Sequence, residues 1–247
     1  MTDFDGLVAV VTGGLSGIGA ATAALLAERG ARVVVLDRDQ PGDLPSGVRH
    51  VACDVTLDAD LERAVHELGR VEGRLDVLVN NAAIGAVGDV SDNDRDEWHR
   101  VLDVNVVSVA RVTAVALPLL TQSPSACVVN VSSVVTSVGV RNRALYAASK
   151  GAVTALTLAM AADHLAAGVR VNAVVPGTAD TVWVTRLLAA ADDPEAEAAR
   201  LRARQPMGRL ITPAEVAFAV CYLASPLAGS TTGTLLAVDG GMATLRP

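Results

Sequence analysis

Apolar residues along the chain fall into two alternating patterns. Short, nearly unbroken runs rich in Val and Leu occur at Val8 to Thr12, Arg32 to Leu36, Val48 to Cys53, Val77 to Asn80, Cys127 to Val131, Val169 to Val175 and Leu235 to Val238. Between them, apolar positions recur with helical period near 17–29, 58–72, 94–121, 145–167 and 213–224. A strand that is apolar on both faces must be covered on both, and crossover helices supply that cover in a parallel sheet. The pattern predicts one doubly wound α/β domain over residues 1–247, with about seven parallel strands and helices on both faces. No linker, charge block or repeat divides the chain. The one interruption is Thr178 to Pro206, where Asp192-Asp193-Pro194 breaks an Ala- and Arg-rich helical stretch. It follows the sixth run, at the carboxyl end of a strand where open parallel sheets bind ligands, and is a candidate lid over about 178–206.

The first run leads into Thr12-Gly13-Gly14-Leu15-Ser16-Gly17-Ile18-Gly19 and then a helix. Glycines at 13, 17 and 19 permit a tight turn and close approach to a pyrophosphate, whose charge the free N–H groups at the helix start stabilise. Gly13, Ser16, Gly17, Ile18 and Gly19 are therefore candidate dinucleotide contacts, and the sheet is of Rossmann type. The second run ends in Leu36-Asp37, an acidic residue about 20 positions on, where a carboxylate accepts from the adenosine ribose hydroxyls. A 2′-phosphate there meets repulsion of about 4 kcal/mol per unit charge at roughly 4 Å and an effective dielectric near 20, which favours NAD over NADP. Arg38 is the counterweight, able to hold such a phosphate. Asp54 and Val55 are placed to meet the adenine, with a turn or helix cap as the other reading of Asp54. Asn80-Asn81-Ala82-Ala83 closes the fourth run beside the cofactor.

Of 247 residues 51% are hydrophobic and the formal charge is −7. An acidic balance with only six aromatics offers neither the basic stripe nor the stacking platform of a nucleic-acid binder. The N-terminus lacks the basic region of a signal peptide, and apolar stretches are broken short of about 18 residues, so no membrane partner and a cytoplasmic location are expected. Cys53, Cys127 and Cys221 are far apart and outside any CxxC spacing, which reads as buried thiols, and the four His are equally scattered, so no metal site is expected. One scarcity is informative. Lys150 is the only lysine among twenty cationic residues.

That lysine stands four residues after Tyr146, in Tyr-Ala-Ala-Ser-Lys at the start of a helix, so both project from one face. An ammonium roughly 4 Å from a phenol contributes about 4 kcal/mol at an effective dielectric of 20, near three pKa units, enough to make tyrosine a working acid/base. Ser133, at the end of the fifth run, is placed to hold the reacting oxygen.

Taken together, these motifs resemble the short-chain dehydrogenase/reductase family from end to end: the TGxxxGxG turn, Asp54-Val55, Asn80-Asn81-Ala82, Asn105, Ser133, Tyr146-xxx-Lys150, Pro176-Gly177-xxx-Thr181 and Val238-Asp239-Gly240-Gly241. The resemblance implies that Tyr146 is the general acid/base and that Asn105 positions a water in a relay from Lys150. It also implies that Lys150 binds the nicotinamide ribose, that Pro176, Gly177, Thr178 and Thr181 meet the nicotinamide end, and that the protein is a homotetramer. Ala83 departs from the family's usual glycine, and Thr136 stands where glycine is common.

Arginines cluster near the proposed pocket: Arg143 one turn before Tyr146, Arg186 in the lid, and Arg204 in Arg-Gln-Pro-Met-Gly-Arg. A planar fork binds carboxylates bidentately, which points to an acid substrate. The pattern is similar to a subgroup that includes cytosolic 3-hydroxybutyrate and 2-keto-3-deoxy-L-fuconate dehydrogenases, with Arg186 displaced by one position. Trp183 either stacks on substrate or anchors the lid. The expected function is NAD-dependent hydride transfer between a secondary alcohol and its ketone on a small hydroxy acid or sugar acid. The alternatives are an NADPH-dependent 3-oxoacyl-thioester reductase and a dinucleotide-sensing protein without catalysis.

Overall fold

The computed structural model describes residues 3–246. Seven strands form one parallel sheet in the order β3-β2-β1-β4-β5-β6-β7. They are β1 (Val8–Thr12), β2 (Arg32–Asp37), β3 (Val48–Ala52), β4 (Val77–Asn80), β5 (Cys127–Val131), β6 (Arg170–Pro176) and β7 (Leu235–Val238). Alternate residues of each central strand enter different cores. Val8, Val10, Val34, Leu36, Leu78 and Val128 face helices α2 (Asp58–Glu72), α4 (Ser108–Leu120) and α5 (Ala144–His164). Ala9, Val11, Val33, Val35, Val77, Val79 and Val129 face α1 (Gly17–Glu28) and α8 (Pro213–Ala224). This two-sided burial is why the central strands are apolar along most of their length. The chain reverses direction across the sheet between β1 and β4, and the crevice at their carboxyl ends is where such sheets bind ligands.

The helix expected over 94–121 differs from that expectation. It consists of α3 (Arg95–Leu102), a widened π-turn over Asp103–Val107, and α4. The Ser108 N–H donates to the Asp103 carbonyl, five residues back. The helical runs Arg95–Leu120 and Ala144–Ala167 are also long and apolar enough to cross a membrane, contrary to the expected early interruption. Thr113 and Thr157 on these runs are bonded to the strands beneath them. Asn80 Nδ2 donates to Thr113 Oγ1 (3.1 Å) and to Asn130 Oδ1 (2.9 Å), and Asn130 Nδ2 donates to Thr157 Oγ1 (2.9 Å). This buried chain ties α4 and α5 to the centre of the sheet.

Two buried charges hold the ends of the sheet. Asp76, fully buried, accepts from the Val8 N–H, from Arg74 Nε and from Ser123 Oγ. Arg170, at the start of β6, donates to the carbonyls of Leu223, Ala224, Ser225 and Thr231 at 2.8, 3.3, 3.1 and 3.0 Å. It thus caps the C-terminus of α8, whose last carbonyls have no partner within the helix. Arg170→Met leaves those acceptors unpaired. We expect a loss of about 2–4 kcal/mol of stability, read as a lowered urea midpoint at unchanged m-value. Cys53, Cys127 and Cys221 are free and buried, as expected, and burial pushes their thiols up to about 11, 11 and 12.

Candidate active site

A cavity of about 650 Å³ runs along the carboxyl ends of β1, β2, β4, β5 and β6. At one end lie Gly13, Ser16, Gly17 and Ile18, then Asp37, Arg38, Asp54 and Val55. In the middle are Asn81, Ala82, Ala83, Ser133, Tyr146 and Lys150. Pro176, Gly177, Thr178, Thr181, Trp183, Arg143, Arg186 and Arg204 close the other end. Nearly every residue singled out from the sequence lines this one space. Gly19 and Asn105 support it from behind.

The Gly-rich turn is built to take a phosphate. Gly13 has φ +62°, and a Cβ on it would lie 2.9 Å from Ala82 Cα; one on Gly19 would overlap the Gly13 carbonyl. Gly17 has φ +53°, in the left-handed region. Ser16 caps α1 with extended backbone but its hydroxyl makes no capping bond, and no acidic residue stands in the first turn. Acidic residues stand in the first turn of α2, α3, α7 (Pro194–Ala203) and α8, whereas α4, α5 and the helix over Val182–Ala189 lack them as α1 does; α1 differs in starting from the Gly-rich turn at the cavity. The positive end of α1 is left for an anion. Asp37 accepts from the Leu15 N–H (3.1 Å) through Oδ2 and from the Asp39 N–H (3.2 Å) through Oδ1, so it also shapes the turn. Asp54 is both a cavity residue and a turn former. Its Oδ1 accepts from Thr56 N (2.9 Å) and Oγ1 (2.7 Å), and these bonds hold its carboxyl below the usual range.

The candidate reacting groups meet where α5 begins. Ser133 lies two residues past the end of β5 and is 8% exposed; Tyr146 packs in part against Ala86, Val101 and Leu145. Burial pushes the Tyr146 phenol above its ordinary value, while Ser133 and the Arg143 charge pull it down. Lys150 shares its face of α5 with Tyr146 and is buried. Its Nζ lies 6.0 Å from the Tyr146 ring centroid and donates to the Val131 carbonyl at 2.8 Å. That bond ties the side chain to the last residue of β5, and burial lowers the ammonium to about 8. The π-turn explains Asn105. It brings the amide inward, where Oδ1 accepts from Ile84 N (2.8 Å) and Nδ2 donates to Ile84 O (2.9 Å) and Ser149 Oγ (3.0 Å). Asn105 thereby clamps the loop after β4 to the face of α5 that carries Tyr146. Thr136, one of the two departures, donates its hydroxyl to the Ser133 carbonyl.

The lid consists of α6 (Val182–Ala189) and α7, broken at Asp192-Asp193-Pro194 as the sequence indicates, with Asp193 capping α7. Arg143 is 8% exposed, and only its Nη1 meets protein acceptors, the carbonyls of Ala86 (3.3 Å) and Asn142 (3.1 Å). No carboxylate lies within salt-bridge distance of Arg143, Arg186 or Arg204 among the described residues. Burial lowers the pKa of Arg143 and Arg204, and each also feels the charge of Glu197, which pairs with Arg200 at 2.6 Å. Arg186 reaches the cavity from an exposed position. Sequence reasoning missed Gly85, Val140, Leu201 and Met242, which also line the cavity. They are small or apolar residues on loops and the lid, with no chemical signature of their own.

The family model described as "Enoyl-(Acyl carrier protein) reductase" matches residues 13–243. The chain is 43% identical to cis-4-hydroxycyclohexanecarboxylate dehydrogenase of Sinomonas cyclohexanicum, with 95% of each chain covered. It is 40% identical to 2-(S)-hydroxypropyl-CoM dehydrogenase 3 of Xanthobacter autotrophicus, over 95% of this chain and 96% of that one. Among solved structures, Thermoplasma acidophilum aldohexose dehydrogenase superposes with a TM-score of 0.94 at 35% identity, covering 100% and 97% of the two chains. With the doubly wound sheet, the Gly-rich turn and the Ser133, Tyr146 and Lys150 grouping, these matches place the chain in the short-chain dehydrogenase/reductase family. It is an oxidoreductase acting on CH–OH groups with NAD(P).

Proposed function

We propose that the protein is an NAD-dependent dehydrogenase of a small secondary alcohol that carries a carboxylate, a hydroxy acid or sugar acid. The observation that carries this reading is Arg143: a buried guanidinium beside Tyr146, lining the cavity, with no carboxylate within salt-bridge distance among the described residues. A buried charge without a counterion is costly, and a substrate carboxylate supplies the missing partner. Arg204 and Arg186 add to the same end. A relative at 43% identity is named for a hydroxy carboxylate, which supports the reading.

The preference for NAD rests on Asp37, fixed in the turn by two backbone N–H groups, while Arg38 is exposed and leans toward Asp39 at 4.0 Å. In oxidation, Tyr146 as phenolate takes the alcohol proton and Ser133 holds the alcohol oxygen as it becomes a carbonyl. Lys150 keeps positive charge at the end of β5, and Asn105 keeps α5 in register with the loop after β4. NAD, when bound, accepts the carbinol hydrogen as hydride at its nicotinamide ring. Family membership together with exposed Val107, Leu158 and Leu165 on the long helices and Phe218 and Tyr222 on α8 supports a homotetramer.

The test is cofactor reduction with hydroxybutyrates, 4-hydroxycyclohexanecarboxylate and aldonates, each beside its amide, with NAD and NADP in parallel. The expected result is turnover of acids and a kcat/KM ratio favouring NAD. A ratio favouring NADP, or amides turned over as well as acids, rejects the corresponding part. Turnover of 3-oxoacyl thioesters with NADPH alone would replace this reading by the reductase one.

A further inference from the structure

Three side-chain and backbone groups from three segments meet at the mouth of the cavity. Trp183 stands in the first turn of α6, and Arg143 Cζ lies 5.2 Å from the centroid of its ring. The indole edge rests on Gly85 in the loop after β4. A Cβ on Gly85 would overlap Trp183 Nε1 and lie 2.7 Å from Cε2 and 3.0 Å from Cζ2, so its three nearest neighbours all belong to that indole. Gly85 is not among the residues with positive φ. Alanine is therefore compatible with the backbone there, and what excludes it is Trp183.

Gly85 and Arg143 belong to the body of the protein. Asn142, at φ +56°, sets the turn before α5, the Gly88 N–H donates to the Asn142 carbonyl, and Arg143 Nη1 donates to the Ala86 carbonyl. Trp183 alone belongs to the lid, where Val184 is the only buried residue of α6. Both contacts of the indole therefore exist only when α6 lies down on the loop. We propose that Trp183 is the latch of the lid and a positioning residue: seated on Gly85 and stacked on Arg143, it closes the cavity and aims the guanidinium in the same movement. The aim toward a substrate carboxylate rests on the reading above; the latch does not. Substrates are thus selected by whether charge pairing and lid closure are satisfied together, which favours a carboxylate on a compact skeleton that fits under the indole.

The test uses Trp98→Phe as background, so that Trp183 is the sole tryptophan, and measures acrylamide quenching together with kcat and KM for a hydroxy acid and its amide. Trp183→Phe retains the stack and stays within about threefold of the background; Trp183→Leu raises KM for the acid about tenfold, in the range of a desolvated cation–π contact. Gly85→Ala increases quenching and raises KM similarly. In the Trp183→Leu background Gly85→Ala adds little, because the clash partner is gone. Equal costs of Gly85→Ala in both backgrounds, or unchanged quenching, overturn the latch. If Arg143→Ala discriminates acid from amide while Trp183→Leu does not, the aiming role is overturned and the carboxylate reading stands. If the Gly85 and Trp183 coupling holds but Arg143→Ala treats acid and amide alike, the latch stands and the carboxylate reading fails.

Discussion

Replacing Tyr146 with Phe lowers turnover by about 10³-fold or more and leaves the dissociation constant of NAD within a few-fold. The phenol oxygen is the group proposed to exchange a proton with the substrate oxygen, and positioned acid/base groups contribute about 10²–10⁴-fold. Phe keeps the ring contacts with Ala86, Val101 and Leu145, so the site should not collapse. Stopped-flow turnover and cofactor fluorescence titration separate the two effects, and retained turnover refutes the assignment. The sign of the pH dependence follows from the same group. Burial holds the phenol above its ordinary value, and oxidation needs the deprotonated form. The oxidation rate of the unsubstituted enzyme should therefore rise with pH from neutrality, while ketone reduction, which needs the phenol, should stay level until the pH approaches the raised phenol pKa and fall only beyond it.

Arg143→Ala raises KM for a hydroxy acid by about 10²-fold and for the corresponding amide by less than about threefold. Removing one member of a buried, hydrogen-bonded charge pair costs about 2–5 kcal/mol, of which about 2.7 corresponds to 10²-fold. An amide has no such charge to strand. Thermal unfolding of the variant checks that the lost bond to the Ala86 carbonyl has not loosened the loop. Equal changes for acid and amide reject the carboxylate pocket and return Arg143 to a role in loop structure.

Local pattern carried much of this architecture. The predicted boundaries of α2 and α8 coincide with the observed helices, because capping residues, proline and apolar period act within a few positions of one another. The Tyr146 and Lys150 pair was legible for the same reason, since four residues on a helix return to one face. The destination of the lysine was not. Val131 lies nineteen residues earlier, and only the docking of α5 on β5 brings its carbonyl to Nζ. The π-turn at Asn105 was hidden in the same way: its amide finds Ile84 and Ser149, which are distant in sequence, and no local pattern distinguishes that turn from ordinary helix.

Composition posed a question about nineteen arginines that it had no means to answer. Arg170 caps α8, Arg74 holds Asp76, Arg200 pairs with Glu197, and, among the described residues, Arg143 is deeply buried at the cavity with no carboxylate within salt-bridge distance. A guanidinium's role depends on what surrounds it in space, and those partners come from segments far apart in the chain. Gly85 makes the same point from the other side. Nothing marks it among 21 glycines until Trp183, 98 positions later, is laid against it. The sequence by itself determined the alternation of strands and helices, the Gly-rich turn and the placing of Tyr146 and Lys150 on one helix face, because each depends on neighbours a few residues apart. The tertiary structure alone decided which charges are buried and unpaired and what closes the cavity, because burial and electrostatic pairing are properties of packed segments.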